Sequence, residues 1–278
     1  MAPPDAIDWR SVLTDPEAGF VRGRRLYRLV PSAPRCKLCN LPFAGPGGAI
    51  FRLLGFRRWE RNPTICRSCI SGLERIGPGG AEIEATLLFA DVRGSTGLAE
   101  AMSAGAYSKV MSRFYQAGCD AIVGANGVVK DFVGDEVVGL FFAGVSGPRH
   151  AAAAIGAGQA ILAALATPEA AEPVLPVGVA VHTGTVYVGT VGDAGQVHDF
   201  TALGDTVNTA ARLASSAGAG ELLASVAAMR NAGMVPDGLD HRTVALRGRA
   251  ASVDVVVVGP DSDERQTKIG SRVPGKSG

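Results

Sequence analysis

The run Thr86-Leu-Leu-Phe-Ala-Asp-Val-Arg-Gly-Ser-Thr96 constrains this chain more than any other stretch. Its first half is apolar without alternation, the pattern of a strand buried on both faces. The run ends on Asp91, a carboxylate at the strand's end. Gly94 then permits a tight turn, and Ser95 or Thr96 can cap the following helix. An acid at a strand end, followed by the backbone N–H groups of a helix start, makes a place for a metal-bound triphosphate. Many strands end on a lone structural Asp, so other residues must decide.

A second acidic stretch, Gly127-Val-Val-Lys-Asp-Phe-Val-Gly-Asp-Glu-Val-Val-Gly-Leu-Phe-Phe142, reads as strand, tight Gly134-Asp135 turn and strand. Two carboxylates, Asp91 and Asp135, at adjacent strand ends can hold two Mg²⁺ ions, which take oxygen ligands and substrate phosphates. The third piece is Asp199-Phe-Thr-Ala-Leu-Gly-Asp-Thr-Val-Asn-Thr-Ala-Ala-Arg212. Asp205 or Thr206 can cap a helix there, with Asn208 and Arg212 at i and i+4 on one face.

Phe-Ala-Asp-Val-Arg-Gly-Ser-Thr, Val-Gly-Asp-Glu, Val-His-Thr-Gly-Thr-Val-Tyr-Val-Gly-Thr-Val-Gly (181–192) and Leu-Gly-Asp-Thr-Val-Asn-Thr-Ala-Ala-Arg together resemble the class III nucleotidyl cyclases. The resemblance runs from about Glu82 to Val258, with four motifs in the family's order.

The charge is divided along the chain. Val21 to Arg75 holds 12 basic and 2 acidic residues, a local charge of +10, whereas Ile76 onward holds 14 basic and 20 acidic, or −6. Met1 to Asp15 is polar and proline-marked, unlike a signal peptide, and the alanine-rich stretch 151–166 is too short to span a bilayer. A cytoplasmic protein without a membrane span is expected.

Within the basic part, Cys36-Lys-Leu-Cys39 and Cys66-Arg-Ser-Cys69 are two C-x-x-C knuckles. In a reducing compartment this spacing indicates a metal site, and four thiolates suit tetrahedral structural Zn²⁺. An iron–sulfur cluster is the alternative, although the compact ferredoxin spacing is absent. Cys119 falls in an apolar helical stretch and reads as core. Arg52, Arg57, Arg58 and Arg61 between the knuckles read first as a solvated basic face. Nucleic acid is not expected there; a regulatory partner or an anionic surface remains open.

The expected order is a flexible lead (1–20), a basic, zinc-ribbon-like four-cysteine module (21–76), a Gly-Pro-Gly-Gly linker (77–82), a catalytic body (83–259) and a disordered tail (260–278). Strands are predicted near 85–91, 127–133, 136–142, 175–182, 185–191, 243–246 and 252–258, and helices near 97–102, 105–124, 148–166, 206–217 and 225–232. That order suggests an α+β, ferredoxin-like core, the architecture the resemblance also implies.

The resemblance further implies a chemistry, cyclisation of ATP or GTP by attack of the ribose 3′-hydroxyl on the α-phosphate. Asp91 and Asp135, with the Val92 carbonyl, would hold two Mg²⁺ or Mn²⁺ ions. Gly94, Ser95 and Thr96 would face the phosphates. Asn208 would orient the ribose, Arg212 would meet the α-phosphate, and Arg247 stands where a lysine for the terminal phosphates is usual. The purine-selecting position falls on Asp131, with Lys130 one residue early; either a bulge returns Lys130 to the pocket or Asp131 faces the base. Thr201, the partner position, favours ATP. Active sites would be shared across a homodimer, adenylate cyclase activity being expected, with a guanylate cyclase or a catalytically weak regulatory protein as alternatives.

Overall fold

The computed structural model describes residues 8–15, 27, 29–30, 34–60, 62–76, 79–166, 174–192, 198–236, 238–245 and 252–259. Its centre is the strand β3 (Gly79–Val92), preceded by α1 (Trp9–Thr14), α2 (Gly45–Leu53), the small pair β1 (Arg58–Trp59) and β2 (Asn62–Cys66), and α3 (Arg67–Ile76). After β3 come α4 (Ser95–Ala101), α5 (Ala104–Gly124), the hairpin β4 (Val128–Val133) and β5 (Glu136–Phe142), α6 (Ala143–Ser146), α7 (His150–Ala166) and β6 (Val177–Gly192). The chain continues through β7 (His198–Leu203), α8 (Asp205–Ser216), β8 (Leu222–Ser225), α9 (Val226–Ala232), β9 (Asp240–Ala245) and β10 (Ser252–Val257).

The main sheet runs β4-β5-β3-β6-β8-β10-β9, with β7 also paired to β6. The segment β3-α5-β4-β5-α7-β6, with spatial order β4-β5-β3-β6, is the ferredoxin-like arrangement. As the apolar run requires, β3 is covered on both sides. Leu88, Ala90 and Val92 pack with Phe114 and Ile122 of α5 and with Ile155 and Ile161 of α7. Ala85, Leu87 and Phe89 belong to a second core with Ala210, Leu213 and Ala214 of α8. That same continuous core takes in the four knuckle cysteines, Leu38, Leu41 and Ile65, so the basic module and the sheet share buried surface.

Several expectations are corrected. Residues 175–182 and 185–191 form one strand, β6, rather than two. The linker expected at 77–82 is already strand from Gly79, where Gly79 and Gly80 pair with Thr190 and Gly189. Glycines permit this close approach, since a Cβ on Gly189 would stand 2.2 Å from the Gly79 carbonyl oxygen. The lead is not flexible over 8–15: Asp8 caps α1, accepting from the Ser11 amide at 3.1 Å, and α1 lies against β3 and α6. Leu13 is 2% exposed, because Trp9, Val12 and Leu13 share one face of that short helix. Most of the basic segment 21–30 and the tail 260–278 lie outside the described residues, as does Arg247.

Candidate active site and metal centre

The end of β3 and the tip of the β4–β5 hairpin converge. Asp91 stands in register with Glu136, and the Val92 amide donates to the Asp135 carbonyl at 3.1 Å. The Asp91 and Asp135 carboxylates lie close enough for Asp135 to raise the Asp91 pKa. Ser95 Oγ donates to Asp135 Oδ2, and Tyr115 donates its hydroxyl to the Gly134 carbonyl, bracing the tip against α5. The capping expected of Ser95 or Thr96 is therefore corrected. Gly94 occupies the N-cap of α4 with a left-handed φ of 67°, no side chain caps the helix, and Ser95 is spent on Asp135. Thr96 is exposed.

The electrostatics of this corner favour a cation. Burial raises the Asp91 pKa and the neighbouring Asp135 adds to it, while the Arg93 guanidinium opposes both. Burial, Asp91 and Asp135 together push Glu136 up to about 7, again against Arg93. Three half-buried carboxyls held together, all oxygen donors, form a set that suits Mg²⁺ or Mn²⁺. The sequence reading passed over two of these residues. Glu136 follows Asp135 directly in the Gly-Asp-Glu motif, and Arg93 bonds both the Asp91 carboxylate and, at 3.1 Å, the Ser215 carbonyl at the end of α8. The adjacency of Glu136 was visible; the Arg93 bridge spans 122 residues and was not.

The remaining candidates sit elsewhere. Asn208 and Arg212 lie on α8, which starts at Asp205 behind Gly204 with no side-chain cap; Thr206 Oγ1, expected to cap, donates instead to the Thr185 carbonyl. Asn208 is exposed, and Arg212 is half-buried with its Nη1 atom enclosed and lacking a hydrogen-bond partner. Among the described residues no hydrogen bond or ion pair joins Asn208 or Arg212 to Asp91 or Asp135. Thr201 is buried on β7 opposite Gly189.

At the Lys130/Asp131 offset the ladder is irregular. The ladder pairs Val129 with Gly139 and Asp131 with Val138, leaving Lys130 as the extra residue of a β-bulge. Asp131 thus stands on the face of Val128 and Val138, and its carboxylate meets Lys130 Nζ at 3.3 Å. The two side chains lie on the same side, Lys130 14% exposed and Asp131 51%.

The four knuckle cysteines form a separate centre. Cys36–Cys39 is a turn closed by the Asn40 amide on the Cys36 carbonyl at 2.9 Å. Cys66 ends β2 and Cys69 lies in the first turn of α3. All four sulfurs lie within 4.8 Å of one another, with Cys36–Cys69 at 3.9 Å and Cys39–Cys66 at 3.6 Å. A tetrahedral ion with 2.3 Å zinc–sulfur bonds separates its sulfurs by about 3.8 Å. A cluster places several atoms between the thiolates and holds some of them farther apart. Hydrogen bonds from Cys39, Cys66 and Cys69 pull the Cys36 thiol down, whereas Cys36 above all pushes Cys69 up. Unaided, the four buried sulfurs cannot all ionise, and one dication would let them. Cys119 is free and half-buried, consistent with its packing beside the core of α5.

Comparison with known proteins shows the family. Residues 81–249 match the adenylate and guanylate cyclase catalytic domain, and the chain belongs to that family. It is 32% identical to an adenylate cyclase of Anabaena cylindrica over 57% of its own length and 32% of the relative's. It is 31% identical to adenylate cyclase 1 of Rhizobium meliloti over 47% of this chain and 20% of that one. The chain thus spans about a third or less of these relatives. The guanylyl cyclase Cya2 superposes with a TM-score of 0.60 at 26% identity, covering 65% of this chain and 94% of that one. The adenylyl cyclase CyaB from P. aeruginosa does so with a TM-score of 0.54 at 26% identity, over 65% and 96%. Among the described residues no helix is long and apolar enough to cross a membrane.

Proposed function

We propose that this chain cyclises ATP to 3′,5′-cyclic AMP and pyrophosphate as a homodimer with shared sites. The observation that carries it is the convergence of Asp91, Asp135 and Ser95 on one corner. Two divalent ions held by these aspartates and the Val92 carbonyl would neutralise the triphosphate and favour an ionised 3′-hydroxyl. The chain's own part is positioning. Arg93 and Ser95 fix the two carboxylates, and the turn at Gly94–Thr96 offers its amides to phosphate. Arg212 keeps an enclosed, unpartnered Nη1, which suits a guanidinium meant for the charge developing on an α-phosphate. Asn208, one turn earlier, would orient the ribose, and Arg247 would serve the terminal phosphates. Because Asn208 and Arg212 make no bond to these carboxylates in their own chain, a second copy would bring the missing half. Zn²⁺ would occupy the four-cysteine site as a structural ion. Purified protein given Mn²⁺ and ATP should release cyclic AMP and pyrophosphate; no cyclic product from either ATP or GTP would leave a cyclase-fold regulator.

ATP is favoured over GTP by the bulge, which supplies the Lys130 ammonium as a donor and lets Asp131 orient it. Lys130→Ala should cut cyclic AMP formation roughly a hundredfold, because a base-reading group is lost from a polar pocket. Asp131→Ala should cost less than about tenfold. Competing ATP and GTP in one assay reads this directly. Little change in Lys130→Ala, with a shift of product ratio in Asp131→Ala, would assign the base to Asp131 and favour the guanylate reading.

A further inference from the structure

The four-cysteine module carries a face that cyclisation does not use. On α2 and at its C-cap, Ile50, Leu53 and Leu54 follow i, i+3, i+4 spacing and are 60%, 90% and 65% exposed. Apolar residues so exposed in one cluster mark a contact surface rather than scatter. Farther round the helix from this ridge, Gly48 and the exposed Arg52 border a cavity of about 300 Å³. Pro42, Phe43, Phe56, Arg57 and Arg58 complete its wall, and the Arg58 guanidinium lies 4.9 Å from the centre of the Phe43 ring. The Arg67 amide bonds the Arg57 carbonyl at 2.9 Å, which brings a further exposed arginine alongside. Among the described residues no carboxylate pairs with Arg52, Arg57, Arg58 or Arg67. The knuckles hold this face in shape, since Phe43 and Phe56 of the cavity wall pack against the buried cluster that holds Trp59, Ile65 and the cysteines.

We propose that this face docks the protein on an anionic lipid bilayer, with Ile50, Leu53 and Leu54 entering the interface and Arg52, Arg57 and Arg58 taking lipid phosphates. The pairing of an apolar ridge with unpaired arginines decides the partner. Nucleic acid offers phosphates but nothing for a ridge of leucines. A second copy of the same face would set arginine against arginine. A bilayer of anionic lipid supplies both the apolar layer and the phosphates. This docking does not depend on the chain being an active cyclase.

The test uses the zinc-loaded full chain and vesicles of phosphatidylglycerol mixed with phosphatidylcholine, or of phosphatidylcholine alone, at about 0.1 M salt. Co-sedimentation with the anionic vesicles only is expected. Arg57→Ala with Arg58→Ala should weaken it about thirtyfold, and Leu53→Asp with Leu54→Asp should abolish it, both variants keeping their zinc and circular dichroism. Absent or equal binding to the two vesicle types overturns the proposal. So does binding that survives the leucine changes, which would be charge attraction alone. A short duplex oligonucleotide held by the wild type while vesicles are not would assign the arginines to nucleic acid.

Discussion

Asp91→Ala and Asp135→Ala are each expected to lower cyclisation on the order of a thousandfold while leaving the fold in place. On the proposed reading, either change would remove a carboxylate ligand of the paired divalent ions. Stability should change little, because relief of the carboxyl crowding at Asp91 is set against the partners left without a carboxylate, Arg93 in one variant and Ser95 in the other. The check is turnover with Mn²⁺ beside a thermal melt. Activity retained in either variant would remove the two-aspartate assignment. Activity lost together with the melting transition would show the residue to be structural.

The second large effect concerns the knuckles. About one zinc per chain is expected, and Cys39→Ser should release it and unfold the module, since structural zinc supplies on the order of 10 kcal/mol to small domains. The consequence should reach the sheet, because Cys36, Cys39, Cys66 and Cys69 belong to the same buried cluster as Leu87 and Phe89. Metal analysis with hydrogen exchange over 34–76 and 79–92 tests both parts. Iron with inorganic sulfide in the purified protein would contradict the single-ion geometry read from the 3.6 and 3.9 Å sulfur separations. Protection of the module in a metal-free Cys39→Ser protein would show that the core alone suffices.

The parts of this molecule legible in the sequence are those coded locally. The apolar run ending at Asp91, the Gly134–Asp135 turn and the two C-x-x-C pairs each carry their geometry in a few adjacent residues, and the structure builds each of them. What escaped depends on partners far along the chain. Thr183-Gly184 looks like a turn, yet it lies inside β6; a Cβ on Gly184 would stand 2.8 Å from Thr206 Oγ1, so glycine there lets the start of α8 lie on the strand. Gly79 and Gly80 look like a linker because their role, close pairing with Gly189, is set by residues more than a hundred positions away. Trp9, Val12 and Leu13 make too short a pattern to announce a helix, and only the surface of β3 and α6 gives them a reason to form one. The Lys130 bulge was one of two outcomes left open, because a one-residue offset in a strand reads the same until its partner's register is known.

The central claim is that each active site is assembled from two copies of this chain. It is tested most directly by mixing two inactive variants, Asp91→Ala and Arg212→Ala, under conditions where subunits exchange. One hybrid site then combines an intact Asp91–Asp135 corner with an intact α8, and random exchange should restore about a quarter of wild-type turnover. A mixture that stays inactive although mass spectrometry shows the hybrid dimer would contradict the shared site.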